Sequence, residues 1–388
     1  MLTTRCTIAR VDLAALEANY RTLADHLSAE ATVNRGSGRG VVLPPRIIAV
    51  VKANAYGHGA TRVARALEAA GATMLAVADI EEGVTLREAG VQVPILVFGA
   101  LSVSEISSLF DRRLTPTISS PAAARNLQAA AAARGVRLPY HLKVDTGMNR
   151  LGFRHDNLRR TLPALLASAN LSLEAVFTHF GTADEPEHSH FEEQRSRFEA
   201  ARRVIDELGG GPRLQHAANS AALLRDSRVW YDLVRPGLLL FGLVPPPLGS
   251  TVALTPVMSL TSRVVAVKGV RVGEAVGYGG RFRADRPTTV AVVPAGYADG
   301  LDRRLEGRGA VLIRGHRAPI VGAVSMDMLT VDVTDVENVG PGDEVVFLGA
   351  QGDAPWQRID AREMAAWIGT IPYEILCRLG ARVERTYA

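Results

Sequence analysis

The sequence predicts an α/β fold: an N-terminal (β/α)8 TIM barrel followed by a C-terminal mostly-β domain. Two features lead there. From Ile47 to Phe241, eight short apolar runs alternate with loops and with Ala/Leu/Arg/Glu-rich helical patterns. After the proline cluster Pro245 to Pro247, the pattern changes to β-branched strands punctuated by Gly, Pro and Asp. The expected division is therefore 1–248 for the barrel with its lead-in segment and 249–388 for the β domain. A chain of 388 residues is long enough for both. A doubly wound open sheet competes with the barrel, because alternation alone does not establish closure.

Taken in order, a short extended start leads to Asp12, a plausible N-cap for the amphipathic run LAALEANYRTLADHL. The run VNRGSGRG, Val33 to Gly40, reads as a surface loop. The eight apolar runs are Ile47 to Val51, Met74 to Ala78, Ile95 to Phe98, Thr115 to Ile118, His141 to Val144, Leu173 to Thr178, Leu214 to Ala217 and Gly237 to Phe241. Helical patterns between them include Thr61 to Ala70, Ile80 to Ala89, Pro121 to Arg134 and Phe191 to Leu208. Beyond Met258 come SLTSRVVAVKGV, TTVAVVPAGY, GAVLIRG, APIVGAVSMDMLTVDV and GDEVVFLG, with a single helical pattern at Asp360 to Ile368.

Composition narrows the function classes. Hydrophobic residues at 47% and charged residues at 22% are those of an ordinary soluble protein, and no stretch approaches a membrane span. The start MLTTRCTIARVDL lacks an apolar signal region, so a cytoplasmic location is expected. Cys6 and Cys377 are too few for a disulfide framework or a zinc site. The net charge of +4 is scattered among 40 acidic residues, which argues against nucleic acid. The His- and Asp-bearing loop THFGTADEPEHSH reads as solvated, and no metal site is expected.

Lys52 stands where the first apolar run ends, before the loop NAYGHG. Partial burial there favours the neutral amine, usable as a base or an imine-forming nucleophile. The plain alternative is a lysine whose stem lies on the core while its ammonium reaches water. If the barrel closes, further polar residues share that end: Asn54 and Tyr56; Lys143, Asp145, Asn149 and Arg150; His179; His216, Asn219 and Ser220; and Arg235 and Gly237 flanking the start of the eighth run. In the second domain Gly277-Tyr278-Gly279-Gly280 puts a tyrosine in a glycine-rich bend. GYADG, Gly296 to Gly300, and VSMD, Val324 to Asp327, follow strands. Each of the three also reads as hairpin punctuation.

The segments AVVKANAYGHGA, HLKVDTGMNRLGF, THFGTADE, HAANSAA, VRPGLLLFG, VGYGG, PAGYADG, VSMDM and TIPYEILC together resemble the alanine racemases, in the same order and over nearly the whole chain. The resemblance implies a pyridoxal 5'-phosphate enzyme interconverting L- and D-alanine for peptidoglycan. It implies that Lys52 carries the cofactor and serves as one base, with Tyr278 of a neighbouring subunit as the other, in a homodimer with composite active sites. It assigns His179 and Arg235 to the network around that tyrosine, and Arg235 also to the cofactor ring nitrogen. Phosphate falls to Tyr56, Ser220, the backbone at Gly237 and Leu238, and Tyr373, with Asn219 and His216 in support. Arg150 and the backbone of Met326 would meet the substrate carboxylate, with Asp327 beside Met326. Lys143 matches a lysine often carbamylated to hold that arginine. Asp184, Tyr297 and Arg303 match residues at the substrate entrance.

The sequence departs from the family pattern at Ala323, where arginine is frequent, at Ser325, where cysteine is frequent, and at Glu185, where histidine occurs. A racemase of serine or of several small amino acids is the alternative these changes permit. A decarboxylase of the same fold type and a non-catalytic pyridoxal-phosphate carrier are the others. Ser325 speaks against the decarboxylase, and Tyr278 against the carrier.

Overall fold

The computed structural model describes residues 6–36, 43–99, 101, 105–250, 252–353 and 356–388, with the side chains of 31–36 outside that description. Two compact units emerge. One comprises Leu16–Ala55 and Ala60–Thr255, the other Met1–Ala15, Tyr56–Gly59 and Pro256–Ala388.

The first unit is a closed parallel barrel. Its strands are β1 (Arg46–Val50), β2 (Met74–Val77), β3 (Ile95–Val97), β4 (Thr115–Ile118), β5 (Leu138–Asp145), β6 (Leu171–Phe177), β7 (Leu214–Asn219) and β8 (Leu233–Arg235). Each pairs with the next in parallel, and β8 returns to β1 through Leu233↔Arg46 and Val234↔Ile47. The pair β4–β5, Thr117↔His141 and Ile118↔Leu142, leaves no gap, so the doubly wound alternative is excluded. Strands covered on both faces read as continuous apolar runs, and the residues of β2, β3 and β4 are all buried. Helices Ala60–Ala69, Ile80–Glu88, Pro121–Ala133 and His190–Glu207 lie within one residue of the sequence expectation at each end. The first helix, Leu13–Gly36, is indeed capped by Asp12, whose Oδ1 accepts Ala15 N–H at 2.8 Å.

The eighth strand requires a correction. The run Gly237 to Phe241 is not a strand: Leu238–Phe241 forms a 3-10 turn with all four side chains buried, and β8 is the preceding Leu233–Arg235. A short apolar run has no period that separates a buried turn from a strand. Pro236, which has no N–H to give a ladder, ends the strand before that run begins. Arg235 accordingly closes β8, and Gly237 lies beyond it. The loop expected over 33–40 also begins late, because the first helix continues through Gly36; positions 37–40 lie outside the described residues.

The second unit is built on one ten-stranded sheet, mostly antiparallel. The N-terminal strand Ile8–Val11 lies in it between Met258–Arg263 and Glu384–Tyr387. The helix expected near residue 360 is present as Ala361–Ile368, capped by Asp360, but it has a companion, Pro372–Cys377. That six-residue helix carries Tyr373 and is too short to show a periodic signal. Among the described residues, no helix is long and apolar enough to cross a membrane.

Candidate active site

The C-terminal ends of the barrel strands gather an unusual density of buried basic groups. Lys52, partly buried, follows β1 and opens a left-handed turn: Ala53, Asn54 and Ala55 have φ of 54°, 53° and 54°, and Tyr56 has 52°. A side chain with a Cβ in this region costs roughly 1–2 kcal/mol per residue. The turn is held at both ends of its barrel portion. Ala53 N–H bonds Glu82 Oε1 at 2.6 Å, and Asn54 Oδ1 accepts Ala60 N–H at 2.8 Å.

Arg235, the last residue of β8, is 3% exposed. Its Nη1 donates to His216 Nδ1 at 2.9 Å, and its Nη2 to the carbonyls of Thr178 and Ala217, both at 2.9 Å, and to His179 Nδ1 at 3.3 Å. Burial pulls the guanidinium down to about 9, which still leaves it charged at neutral pH. Since arginine can only donate, Nδ1 of His216 is the acceptor and its proton sits on Nε2. That nitrogen lies 3.0 Å from His141 Nδ1, so His141 carries its proton on Nε2, facing Glu174 Oε2 at 3.7 Å. Burial first, then Arg235, holds His216 well below its ordinary value, so the ring is neutral. Phe177 stacks on it, with ring centroids 4.6 Å apart.

His179, one residue past Thr178, is likewise held neutral by burial, then by Arg235, Lys143, Arg150 and Lys52. Lys143 projects from β5 on the same strand face as His141, two residues away. Desolvation, with Arg150 and Arg235 next, draws its amine down to about 8. The loop after β5 is shaped by Asp145, whose Oδ1 accepts the N–H groups of Gly147 and Asn149 at 2.9 and 3.1 Å, and it presents Arg150 to solvent. Gln194, fully buried, joins this loop to the end of β6. Its Oε1 accepts Gly181 N–H, while Nε2 donates to Thr146 Oγ1 and to the carbonyl of His179. The loop with Asp184 is gripped by Arg225, which donates to the carbonyls of Thr182, Glu185 and Pro186 and lies 4.2 Å above the Phe191 ring.

At the end of β7, Asn219 caps the helix Ser220–Arg225 through Ala222 N–H at 2.9 Å. The buried Ser220 Oγ accepts Gly237 N–H at 2.9 Å, which leaves its own hydroxyl hydrogen to donate. Leu238 opens the adjoining 3-10 turn. A serine hydroxyl and backbone N–H groups at two turn starts suit an anion.

In the second unit the rings of Tyr56 and Tyr373 lie 6.0 Å apart. Burial, then Tyr373 and Cys377, pushes the Tyr56 phenol far above its ordinary value, so it remains a hydrogen-bond donor. Tyr278 sits on a tip with Gly277, Gly279 and Gly280 all at positive φ, and it is 76% exposed. Tyr297 and Met326 are exposed too, and their loops are stitched by Tyr297 N–H to the carbonyl of Ser325 at 3.0 Å. Arg382 secures this corner, donating twice to the buried Asp299 and once each to Asp327 and the Met326 carbonyl. Arg303, exposed, starts a 3-10 turn capped by Asp302.

Sequence reasoning did not single out His141, Glu82, Gln194, Arg225 or the Arg382–Asp299 pair. His141 was within reach, since a residue two before Lys143 on a strand shares its face. The others act through backbone groups distant in sequence and leave no local pattern. Among the described residues, no three His, Cys, Asp or Glu side chains are placed to hold a metal ion.

Two family descriptions match the chain: "Alanine racemase, N-terminal domain" over residues 11–245 and "Alanine racemase, C-terminal domain" over 257–387. The alanine racemase of Carboxydothermus hydrogenoformans is 44% identical over 87% of this chain and 91% of its own length. Among solved structures, the alanine racemase of D-cycloserine-producing Streptomyces lavendulae superposes with a TM-score of 0.91 at 35% identity, covering 100% of this chain and 98% of that one. The Bartonella henselae enzyme, solved with covalently bound pyridoxal phosphate, gives 0.85 at 31% identity, covering 99% of both chains.

Proposed function

The chain belongs to the alanine racemase family, and from that premise we propose that it is a pyridoxal 5'-phosphate racemase interconverting L- and D-alanine through two bases. The donor set fits the cofactor. A primary amine, Lys52, stands at the end of β1; a serine hydroxyl and the turn at Leu238 suit a phosphate; and Arg235 suits a pyridine nitrogen. The observation that carries this reading is the state of Arg235. Both Nη groups are engaged with protein acceptors, and among the described residues Nε–H and the second Nη1 N–H have none, so these are the donors left for a ligand.

When bound, pyridoxal phosphate withdraws electrons from the substrate and acidifies its Cα–H bond. Lys52 Nζ would bind the cofactor covalently and, released by substrate, take or give a proton on one face of Cα. Tyr278 Oη of the neighbouring subunit would do the same on the opposite face, which is what inversion requires. A free tyrosine titrates near 10, so serving as a base at neutral pH needs on the order of 4 kcal/mol in favour of the phenolate. Arg235, charged at neutral pH, would supply positive potential of that kind, with the neutral His179 hydrogen-bonded to it. Because guanidinium keeps its proton, Arg235 would hold a cofactor ring nitrogen without protonating it, which would favour return of the proton to Cα over other outcomes.

Phosphate would be held by Ser220 Oγ and the Leu238 N–H, with Gly237 N–H already committed to Ser220, and by Tyr56 and Tyr373 as tyrosine donors; Asn219 and His216 support them. Arg150, with the Met326 backbone and its neighbour Asp327, would receive the substrate carboxylate. A lysine drawn down to about 8 has a sizeable neutral fraction, as carbamylation by carbon dioxide needs, and carbamylated Lys143 would steady Arg150. Asp184, Tyr297 and Arg303 would line the entrance. The exposed Tyr278, Tyr297, Met326 and Met328 support a homodimer in which these loops serve a partner's site. The proposed role is cytoplasmic supply of D-alanine for peptidoglycan.

The test is loss of optical rotation on incubation with pyridoxal phosphate and either L-alanine or L-serine. Alanine racemising far faster than serine is the expected result. Comparable rates would favour a broader racemase, with Ala323→Arg as the first substitution to try. No racemisation of either amino acid would overturn the proposal.

A further inference from the structure

Glu82 lies in the helix after β2, and its carboxylate reaches two strand ends at once. Oε1 accepts the N–H of Ala53 at 2.6 Å and Oε2 that of Ala78 at 2.8 Å. Ala78 directly follows β2, and Ala53 directly follows Lys52. The glutamate is itself oriented, because Asp79, the N-cap of its helix, accepts Glu82 N–H at 2.9 Å. Hydrogen bonds from N–H groups to a carboxylate are among the stronger ones. The left-handed turn that starts at Ala53 contains no glycine until Gly57, and such a conformation persists only where its surroundings hold it.

We propose that Glu82 is a positioning residue for Lys52: by gripping Ala53 N–H and anchoring it to the end of β2, it fixes where the left-handed turn begins and hence the direction in which the lysine side chain leaves β1. The inference rests on Lys52 being the cofactor-bearing amine and adds the group that aims it. Released from Glu82, Ala53 relaxes toward ordinary right-handed or extended backbone, and the Lys52 Cα–Cβ bond turns with it. Asn54 then holds only the far side of the turn, through Ala60.

Glu82→Gln tests this, since an amide keeps the size but offers its NH2 to one of the two N–H groups. Titration of the cofactor-free protein with pyridoxal phosphate is expected to show an affinity about tenfold weaker, the worth of one hydrogen bond to a charged group. The pH midpoint of the bound cofactor's visible band should shift, while circular dichroism matches the parent. Adding Ala53→Gly should recover most of the lost affinity, because glycine adopts the left-handed turn without strain. A purely structural role would lower the unfolding midpoint of the cofactor-free protein and leave cofactor affinity alone. That result, or a Glu82→Gln loss that Ala53→Gly does not repair, overturns the inference. Should Glu82→Gln fail to fold, Glu82→Asp keeps the charge but reaches only one N–H, and parental affinity in that variant overturns it equally. A parent protein that takes up no pyridoxal phosphate overturns the functional reading and this inference together; a parent that does, with unchanged variants, overturns the inference alone.

Discussion

Lys143 carries a titration that stability measurements can isolate. Its amine falls to about 8 in the folded chain from an ordinary 10.5, chiefly because burial disfavours the ammonium. Between those two values the unfolded chain binds a proton that the folded chain does not, so this site's contribution to stability rises with pH from about 8 to 10.5. The full swing is on the order of 3 kcal/mol. Urea unfolding in carbonate-free buffer across that window should therefore show the parent gaining on Lys143→Met as pH rises; parallel curves would refute the shift. At this scale the sequence was uneven. Lys52, His179, His216 and Arg235 stood out because basic groups beside apolar strands are conspicuous. Glu82 and Gln194 did not, because their partners are backbone groups that any residue possesses.

Among the elements, the corner formed by the loops at residues 296–300 and 324–328 depends on one buried ion pair. Asp299, with no exposed surface, accepts two hydrogen bonds from Arg382 and one from Gly296 N–H. Breaking such a pair by removing one partner costs about 3 kcal/mol, the low end because Arg382 keeps some contact with water. Asp299→Ala should lower the urea midpoint accordingly. It should also raise the KM for alanine, since Arg382 holds the Met326 carbonyl. Normal stability with a normal KM would show the corner to be held elsewhere. Helices with full amphipathic turns were legible to within a residue, because a 3.6-residue period repeats often enough to register. The 3-10 turn Leu238–Phe241 and the helix Pro372–Cys377 are too short to register any period, and both were misread or missed.

For the molecule as a whole, the proposed homodimer makes a prediction that neither chain alone can satisfy. Lys52→Ala and Tyr278→Phe should each be inactive or severely impaired. Mixed after dissociation and reassociated, each heterodimer would pair the intact Lys52 of one chain with the intact Tyr278 of the other at one site of two. Random assortment then restores about a quarter of the parental activity. No gain above the separate variants would mean that each chain completes its own site. Barrel closure was only an expectation from the sequence, since pairing of β8 with β1 is a long-range fact no local pattern encodes.

The strand Ile8–Val11 lies in the sheet between Met258–Arg263 and Glu384–Tyr387, with Ala388 N–H bonded to the Val11 carbonyl at 3.1 Å. Both partners of this strand are distant in sequence, so it joins the sheet only through long-range pairing. Until Glu384–Tyr387 pairs with it, its other side is an open row of N–H and C=O groups. A chain truncated before residue 384 therefore holds an unsatisfied strand edge, the kind of surface that chaperones cover and that aggregates recruit.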